Sequence, residues 1–484
     1  MKLSKIISKI KDSEIVGNIN VDVCSLGFDS RSVCANQLFF ALVGTKVDGH
    51  NFIDDAIRQG ASAIICQRLP QSINEKISYV KVVDSNAAMG IAASEFYDNP
   101  SAKLKLVGVT GTNGKTTTAT LLYQLMKNYG YKAGLISTIA NYINNEKIDT
   151  IHTTPDVLQI NQLLSQMVET GCDYCFMEVS SHAVVQERIA GLNFAGGIFS
   201  NITRDHLDYH ETFDAYIKAK KKFFDNLPKT AFALTNIDDK NGRIMLQNTK
   251  AKCKTYALRT LADYKCKILE LSFEGMLLNI DGIDVWTKCI GDFNAYNLLA
   301  IYAAARELGI EKNEALRLLS DLNPAAGRFE CIRSANGTTA IVDYAHTPDA
   351  LENVVSIINE ICTNEQLITV IGCGGNRDRG KRPMMAKVAS ENSNIAILTS
   401  DNPRYENPED ILKDMCEGLT PVTRKKTLVI ADRREAIRTA IMMAKAGDVI
   451  LVAGKGHEPY QEITGVRHHF DDKEIISEIF NEIK

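Results

Sequence analysis

The chain has 484 residues, 45% of them apolar and 24% charged, with 55 basic against 59 acidic side chains and a formal net charge of -4. This is the composition of an ordinary soluble protein of about three domains, at roughly 150 residues each, and the charge gives no reason to expect nucleic acid or an anionic membrane as partner. The amino terminus, MKLSKIISKI, lacks the uninterrupted apolar stretch of a signal peptide, and no later segment approaches the ~18 apolar residues of a membrane span, so a cytoplasmic location is expected.

Short apolar runs alternate with helical patterns almost throughout, which predicts an α/β protein. QLFFAL and ASAIIC read as strands around the helix-like NFIDDAIRQG. The Pro-containing YDNPSAK, Tyr97 to Lys103, then reads as a linker, placing a domain end near Pro100. The middle stretch opens with the strand LKLVGVT, continues through a glycine-rich loop and a helix, and adds AGLIST, YCFMEVS, GGIFSNIT and FALTNI as further strands. LNPAAGRFE, Leu322 to Glu330, marks a second break. Beyond it TTAIVDYAHTP, LITVIGCGG, IAILTS, TLVIA and DVILVAGKGHE repeat the alternation, giving a three-domain layout. Of the twelve cysteines only Cys172 and Cys175 are close neighbours. A redox or half-zinc pair is one reading, but no second ligand pair lies nearby, and buried free thiols are the favoured one.

In an open parallel sheet, ligands bind outside the carboxyl ends of the strands. Three polar clusters occupy such ends, Gly111 to Thr116, Glu178 to His182 and Asn201 to His206, and they are expected to converge on one cleft. The first, in VGVTGTNGKTTT, is a shortened phosphate loop: where the usual P-loop has its first glycine stands Val109. Gly111 and Gly114 allow backbone N–H groups to approach phosphate, the helix amino terminus adds positive potential, Lys115 can reach the terminal phosphates and Thr116 would hold Mg²⁺. A Gly-Lys-Thr in an ordinary turn is the alternative, disfavoured by the strand and helix on either side. Glu178 ends an apolar strand, where an ionised carboxylate is costly unless paired or bound to a hard cation such as Mg²⁺; a solvent-facing glutamate is the alternative. His206 alone is ambiguous. In TFDAYIKAKKKFF, Lys220 shares a helical face with Phe213, Tyr216, Ile217, Phe223 and Phe224, whereas Lys218, Lys221 and Lys222 point elsewhere. Desolvation favours the neutral amine, which can add carbon dioxide to become a metal-binding carbamate; a snorkelling amine is the reading that residue physics alone favours.

Taken together, DSR and DGHNF, GTNGKTTT, HTTPD, MEVSSHAVVQER and NITRDHLDYH, then GDFNAYNLLA, NPAAGRFE, DYAHTPDAL, GCGGNRDRGKRP, SDNPRYE and AGKGHE resemble the ATP-dependent Mur ligases of peptidoglycan synthesis, over nearly the whole chain. The shortened loop is that family's form. The resemblance implies a UDP-MurNAc-binding α/β domain (1–99), a central P-loop ATPase-like parallel-sheet domain (100–325) and a Rossmann-like amino-acid-binding domain (326–484). Within the family it points to the members that add meso-diaminopimelate to UDP-MurNAc-L-Ala-D-Glu, with lysine-adding members as the runner-up. It further implies that ATP meets Gly111, Thr112, Asn113, Gly114, Lys115, Thr116, Thr117, Asn294, Asn297, Arg328 and Asp343. Mg²⁺ would meet Thr116, Glu178, His206 and Lys220 as a carbamate, and the UDP-MurNAc dipeptide would meet Ser30, Thr153, Thr154, Ser180, Gln186 and Arg188. Diaminopimelate would meet Arg377, Asp401, Asn402, Pro403, Arg404, Gly454 and Glu458. Lys115, Glu178, His206 and Lys220 would be the catalytic group. His152 departs from the Asn that some relatives carry there, which leaves its role open.

The implied chemistry is attack of the D-glutamyl carboxylate on the γ-phosphoryl group, giving an acyl phosphate that the incoming amine displaces, inside domains that close against water. An Arg404 guanidinium could clamp the distal carboxylate of diaminopimelate, which lysine lacks, and Glu458 could bind the distal ammonium. A small-molecule kinase leaves SDNPRYE without a purpose, and a nonhydrolytic nucleotide-binding regulator has no need of both Glu178 and Lys220. An NAD site at Gly372 and Gly374 is disfavoured because Arg377 stands where the last glycine of the fingerprint belongs. Folylpolyglutamate synthetase is a further rival within the family. The protein is expected to be a monomer with no nucleic-acid or membrane partner.

Overall fold

The computed structural model describes residues 1–44, 47–148, 153–205 and 207–483. The chain groups into two compact units, Met1–Ile202 with His210–Tyr256, and Thr203–Tyr209 with Ala257–Lys484.

The first unit holds two sheets. The amino-terminal one has the strand order Glu14–Val16, Ser78–Lys81, Ala61–Cys66, Gln37–Phe40, Ser25–Gly27, parallel except for its first strand. YDNPSAK is no loose tether: Asp98 and Asn99 turn with positive φ (60° and 52°) and Pro100 and Ser101 are buried in a 3-10 turn. Close packing continues nearby, where a Cβ on Gly90 would stand 2.4 Å from the Ala190 carbonyl oxygen.

The second sheet carries the glycine-rich loop. Its order runs Lys252–Ala257, Phe232–Asn236, Gly196–Phe199, Lys105–Thr110, Tyr174–Glu178, Ala133–Ile136, and then Asn141–Ile143 and Glu146–Ile148, the last two antiparallel. The inner strands are parallel and covered on both faces, so they read as continuous apolar runs, as KLVGVT, YCFME and GGIF do. Lys105–Thr110 lies between Gly196–Phe199 and Tyr174–Glu178, which sets Gly111 to Thr116, Glu178 to His182 and Asn201 side by side at the carboxyl edge. Cys172 and Cys175 are buried free thiols in this core.

The second unit contains an antiparallel meander, Tyr264–Ser272, Gly275–Ile280 and Ile283–Thr287, absent from the sequence expectation, followed by the helices Asp292–Glu307 and Lys312–Ser320. Its main sheet has the order Glu330–Arg333, Thr339–Asp343, Val449–Ala453, Leu367–Cys373, Ile395–Ser400, Thr427–Val429, parallel after the first strand. Among the described residues no helix is long and apolar enough to cross a membrane.

Candidate active site

The strand Lys105–Thr110 ends in a loop that the next strand's end grips. Gly111 has φ 154°, and a Cβ there would fall 1.9 Å from Ser200 Oγ; Gly114, φ 84°, heads the helix Lys115–Asn128. Asn201 Oδ1 accepts from the Asn113 N–H (2.9 Å) and its Nδ2 donates to the Asn113 carbonyl (3.2 Å), which also accepts from Ser200 Oγ (2.5 Å). The Thr112 N–H donates to the Asn201 carbonyl (2.8 Å), and the Thr112 hydroxyl meets Tyr216 OH at 3.1 Å. Lys115 Nζ donates back into its own loop, to the carbonyls of Gly111 (3.1 Å) and Thr112 (2.8 Å).

Glu178 is fully buried. Its Oε2 accepts from Thr116 Oγ1 at 2.9 Å and its Oε1 from the Thr138 N–H at 2.7 Å. A hydroxyl and a carboxylate at the head of a phosphate loop are the hard oxygen donors that suit Mg²⁺. Lys220 is buried with Tyr216, Ala219, Phe223 and Phe224 on one face of the helix Phe213–Asp225, while Lys218, Lys221 and Lys222 pair with Asp214, Asp225 and Glu187. Its Nζ donates to the Gly111 carbonyl at 2.7 Å and lies 4.5 Å from the Tyr216 ring centre. The snorkelling arrangement is therefore not the one found. His206 and His152 lie outside the described residues.

A second group of residues gathers beside Glu178. Thr154 Oγ1 donates to the Glu178 carbonyl (2.8 Å) and reaches Ser180 Oγ (3.3 Å), and Thr138 Oγ1 donates to Thr153 Oγ1 (3.1 Å). Arg188 joins them, donating to the Thr154 carbonyl (2.6 Å) and twice to Gln186 Oε1 (3.0 and 2.7 Å). Ser180 also caps the helix Ser181–Val185 through the Ala183 N–H. Ser30 opens a 3-10 turn between the strands Ser25–Gly27 and Gln37–Phe40 of the amino-terminal sheet. Thr138 and Ser200 were missed by sequence reasoning: a threonine and a serine next to apolar runs carry no signal until the strand order is known.

In the second unit Asp343, Gly374, Asp401 and Gly454 stand at or just past the carboxyl ends of four adjacent parallel strands. Asp343 accepts from the N–H groups of Phe329 and Ala345, both at 2.7 Å, and burial raises its pKa despite the nearby Arg328, whose guanidinium lies 4.6 Å over the Tyr344 ring. Asn294 and Asn297 are joined at 3.1 Å on the helix Asp292–Glu307. The glycines of GCGG serve packing: a Cβ on Gly375 would stand 2.0 Å from the Pro403 carbonyl oxygen and one on Gly374 2.8 Å from Arg404 Nη1. They admit the turn Asp401 to Arg404 rather than a dinucleotide. Arg404, φ 53°, donates to the Gly375 carbonyl at 2.8 Å, with its Nε 3.8 Å from Glu462. Asn402 Nδ2 donates to Glu458 Oε2 at 2.8 Å, and Tyr344 OH meets Glu458 Oε1 at 3.3 Å. Burial, then Asp401, raises the Glu458 pKa, while Lys455 opposes the rise. Asp401 Oδ2 would be 2.9 Å from a Cβ on Gly454, and Arg377 is exposed beside Gly374.

Three family models match the chain: "Mur ligase family, catalytic domain" over residues 22–97, "Mur ligase middle domain" over 109–305 and "Mur ligase, glutamate ligase domain" over 327–456. Relatives named UDP-N-acetylmuramoyl-L-alanyl-D-glutamate--2,6-diaminopimelate ligase from Phocaeicola vulgatus and Bacteroides fragilis are each 57% identical over 99% of both chains. A solved structure of an enzyme of that name is 34% identical, covers 100% of this chain and 99% of its own, and superposes with a TM-score of 0.72. The MurF ligase from Thermotoga maritima in complex with ADP shares the fold at 19% identity and a TM-score of 0.62, over 95% of this chain and 97% of its own. The chain belongs to the Mur ligase family.

Proposed function

We propose that the chain is the ATP-dependent ligase that joins meso-diaminopimelate to UDP-MurNAc-L-Ala-D-Glu in peptidoglycan precursor synthesis, releasing ADP and phosphate. The observation that carries this reading is the end-to-end likeness, at 57% identity, to chains named as that ligase. The buried Thr116 and Glu178 pair at the head of the phosphate loop supports the nucleotide part. We assign the domains to 1–99, 100–325 and 326–484. ATP and the UDP-linked precursor are cytoplasmic metabolites, and the chain works there, as a monomer.

With ATP bound, Lys115 exchanges the Gly111 and Thr112 carbonyls for the γ-phosphate, and the Gly111 to Thr117 backbone cradles the remaining phosphates. Asn294, Asn297, Arg328 and Asp343 meet the rest of the nucleotide. Thr116, Glu178, His206 and a carbamate on Lys220 would hold Mg²⁺, which neutralises charge on the transferring group. Ser30, Thr153, Thr154, Ser180, Gln186 and Arg188 hold the dipeptide so that its D-glutamyl carboxylate attacks the γ-phosphorus and expels ADP. The amine of diaminopimelate then attacks the acyl phosphate, and collapse of the tetrahedral adduct releases phosphate. Arg404, with Arg377, Asp401, Asn402, Pro403 and Gly454, binds the distal carboxylate end and Glu458 the distal ammonium. ADP release with the UDP-MurNAc dipeptide should require an amine, run with diaminopimelate and barely with lysine. Equal rates with and without amine would remove the ligase reading.

A further inference from the structure

We propose that Lys455 is a positioning residue for the incoming diamine: its buried ammonium keeps Glu458 negatively charged and, through Asn402, aims it at the distal ammonium. This rests on the reading of Glu458 given above and assigns to Lys455 the task of keeping that recognition in force as pH falls.

Lys455 sits between two glycines of positive φ, Gly454 (109°) and Gly456 (53°), and this turn carries its side chain inward until it is 0% exposed. An ammonium has three donors and no acceptor. Three oxygens stand in reach of Nζ: the Tyr460 carbonyl, Asn402 Oδ1 at 3.4 Å and Glu458 Oε2 at 3.5 Å. The Asn402 contact fixes which way that amide faces. Its Oδ1 takes donors from Lys455 and from the Glu462 N–H (2.9 Å), so its Nδ2 is turned to Glu458 Oε2 at 2.8 Å. The opposite orientation would put an NH₂ against an ammonium. Glu458 Oε2 is thus held from two sides and Oε1 by Tyr344.

The charges around Glu458 explain why a cation is needed. Asp401 is a like charge in the same crevice, Tyr344 and Tyr460 are neutral donors or neighbours, and His457 adjoins it in sequence. Arg433 also acts on it, but that guanidinium is committed to Asp472 through two bonds of 2.8 and 2.7 Å and to the Ala453 carbonyl at 3.0 Å. Burial and Asp401 raise the pKa of Glu458, and Lys455 pulls it back. A lysine that only filled space would be replaceable by an apolar or amide side chain of the same length with no effect on pH dependence.

The test is kcat/KM for diaminopimelate as a function of pH for the wild type, Lys455→Met, Lys455→Gln, Lys455→Arg and Glu458→Gln. An opposite charge within about 4–6 Å lowers a carboxylate pKa by about 1–3 units. The Met and Gln variants should therefore move the acid limb up by about 1 unit or more, a loss of about 10-fold or more below both limbs, with the KM for ATP unchanged. Lys455→Arg should keep the limb in place. If Met does not fold, Gln decides. A loss of the same size at every pH would reduce Lys455 to packing and overturn the proposal. The underlying reading fails differently: Glu458→Gln with a wild-type KM for diaminopimelate would sink it, whatever the Lys455 variants do.

Discussion

Glu178→Gln separates the charge of this side chain from its hydrogen bonds. In the fully buried Glu178, Oε1 accepts from the backbone N–H of Thr138 at 2.7 Å and Oε2 from the hydroxyl of Thr116 at 2.9 Å. The backbone donor is fixed, so the glutamine carbonyl oxygen must take the Oε1 position and the NH₂ the Oε2 position. There it donates to Thr116 Oγ1, whose own hydrogen can rotate. Both bonds survive, and the unfolding free energy should change by less than about 1 kcal/mol. Glu178→Ala instead strands the Thr138 N–H and should cost about 1–3 kcal/mol. Activity should fall with both substitutions. Losing the anion at the head of the phosphate loop should lower kcat on the order of 10²- to 10³-fold in the glutamine variant as well, with a higher demand for Mg²⁺. Thermal melts and ADP release on both variants decide the matter. A glutamine variant with near-normal turnover at ordinary Mg²⁺, or one that melts as low as the alanine variant, would refute the reasoning.

Arg404→Ala should raise the KM for diaminopimelate by roughly 30- to 4,000-fold, the range of about 2 to 5 kcal/mol for one partner of a buried charge pair, while the KM for ATP hardly moves. An unchanged diaminopimelate KM would overturn the carboxylate clamp. Glu406 accepts from the Asn376 N–H and from Arg379 and Arg382, which together press its pKa from 4.5 down to about 2. Because the folded value is depressed, this stabilisation is present above the unfolded pKa and is lost as pH falls toward about 2; Glu406→Gln should remove that part of the acid-side slope in a melting-temperature series. At Lys220, a high-resolution crystallographic map of the active enzyme should show a carboxylate on Nζ, and a bare amine bonded to the Gly111 carbonyl in a fully active preparation would contradict the carbamate.

The parallel strands were legible because burial on both faces makes them uniform apolar runs, as in YCFME and ILVA, ended by polar residues at the site edge. The meander from Tyr264 to Thr287 was not, since Lys265, Lys267, Glu270 and Asp284 face outward in its first and last strands and break up the apolar pattern. Gly111, Thr116 and Glu178 could be picked out singly. That Glu178 is tied to Thr116 follows from the pairing of Tyr174–Glu178 with Lys105–Thr110, a register no single segment encodes. The grip of Ser200 and Asn201 on Asn113 is of the same kind. Lys455 escaped notice because a lysine between glycines in AGKGHE reads as an exposed turn residue, and only the positive φ values on either side carry it inward.

The central claim is tested most directly by mass spectrometry of the UDP-linked product when the dipeptide, ATP and Mg²⁺ are supplied with equal amounts of meso-diaminopimelate and lysine. The product should carry diaminopimelate, with one ADP released for each amide formed. A product carrying lysine, or ADP released with no lengthened peptide, would contradict it.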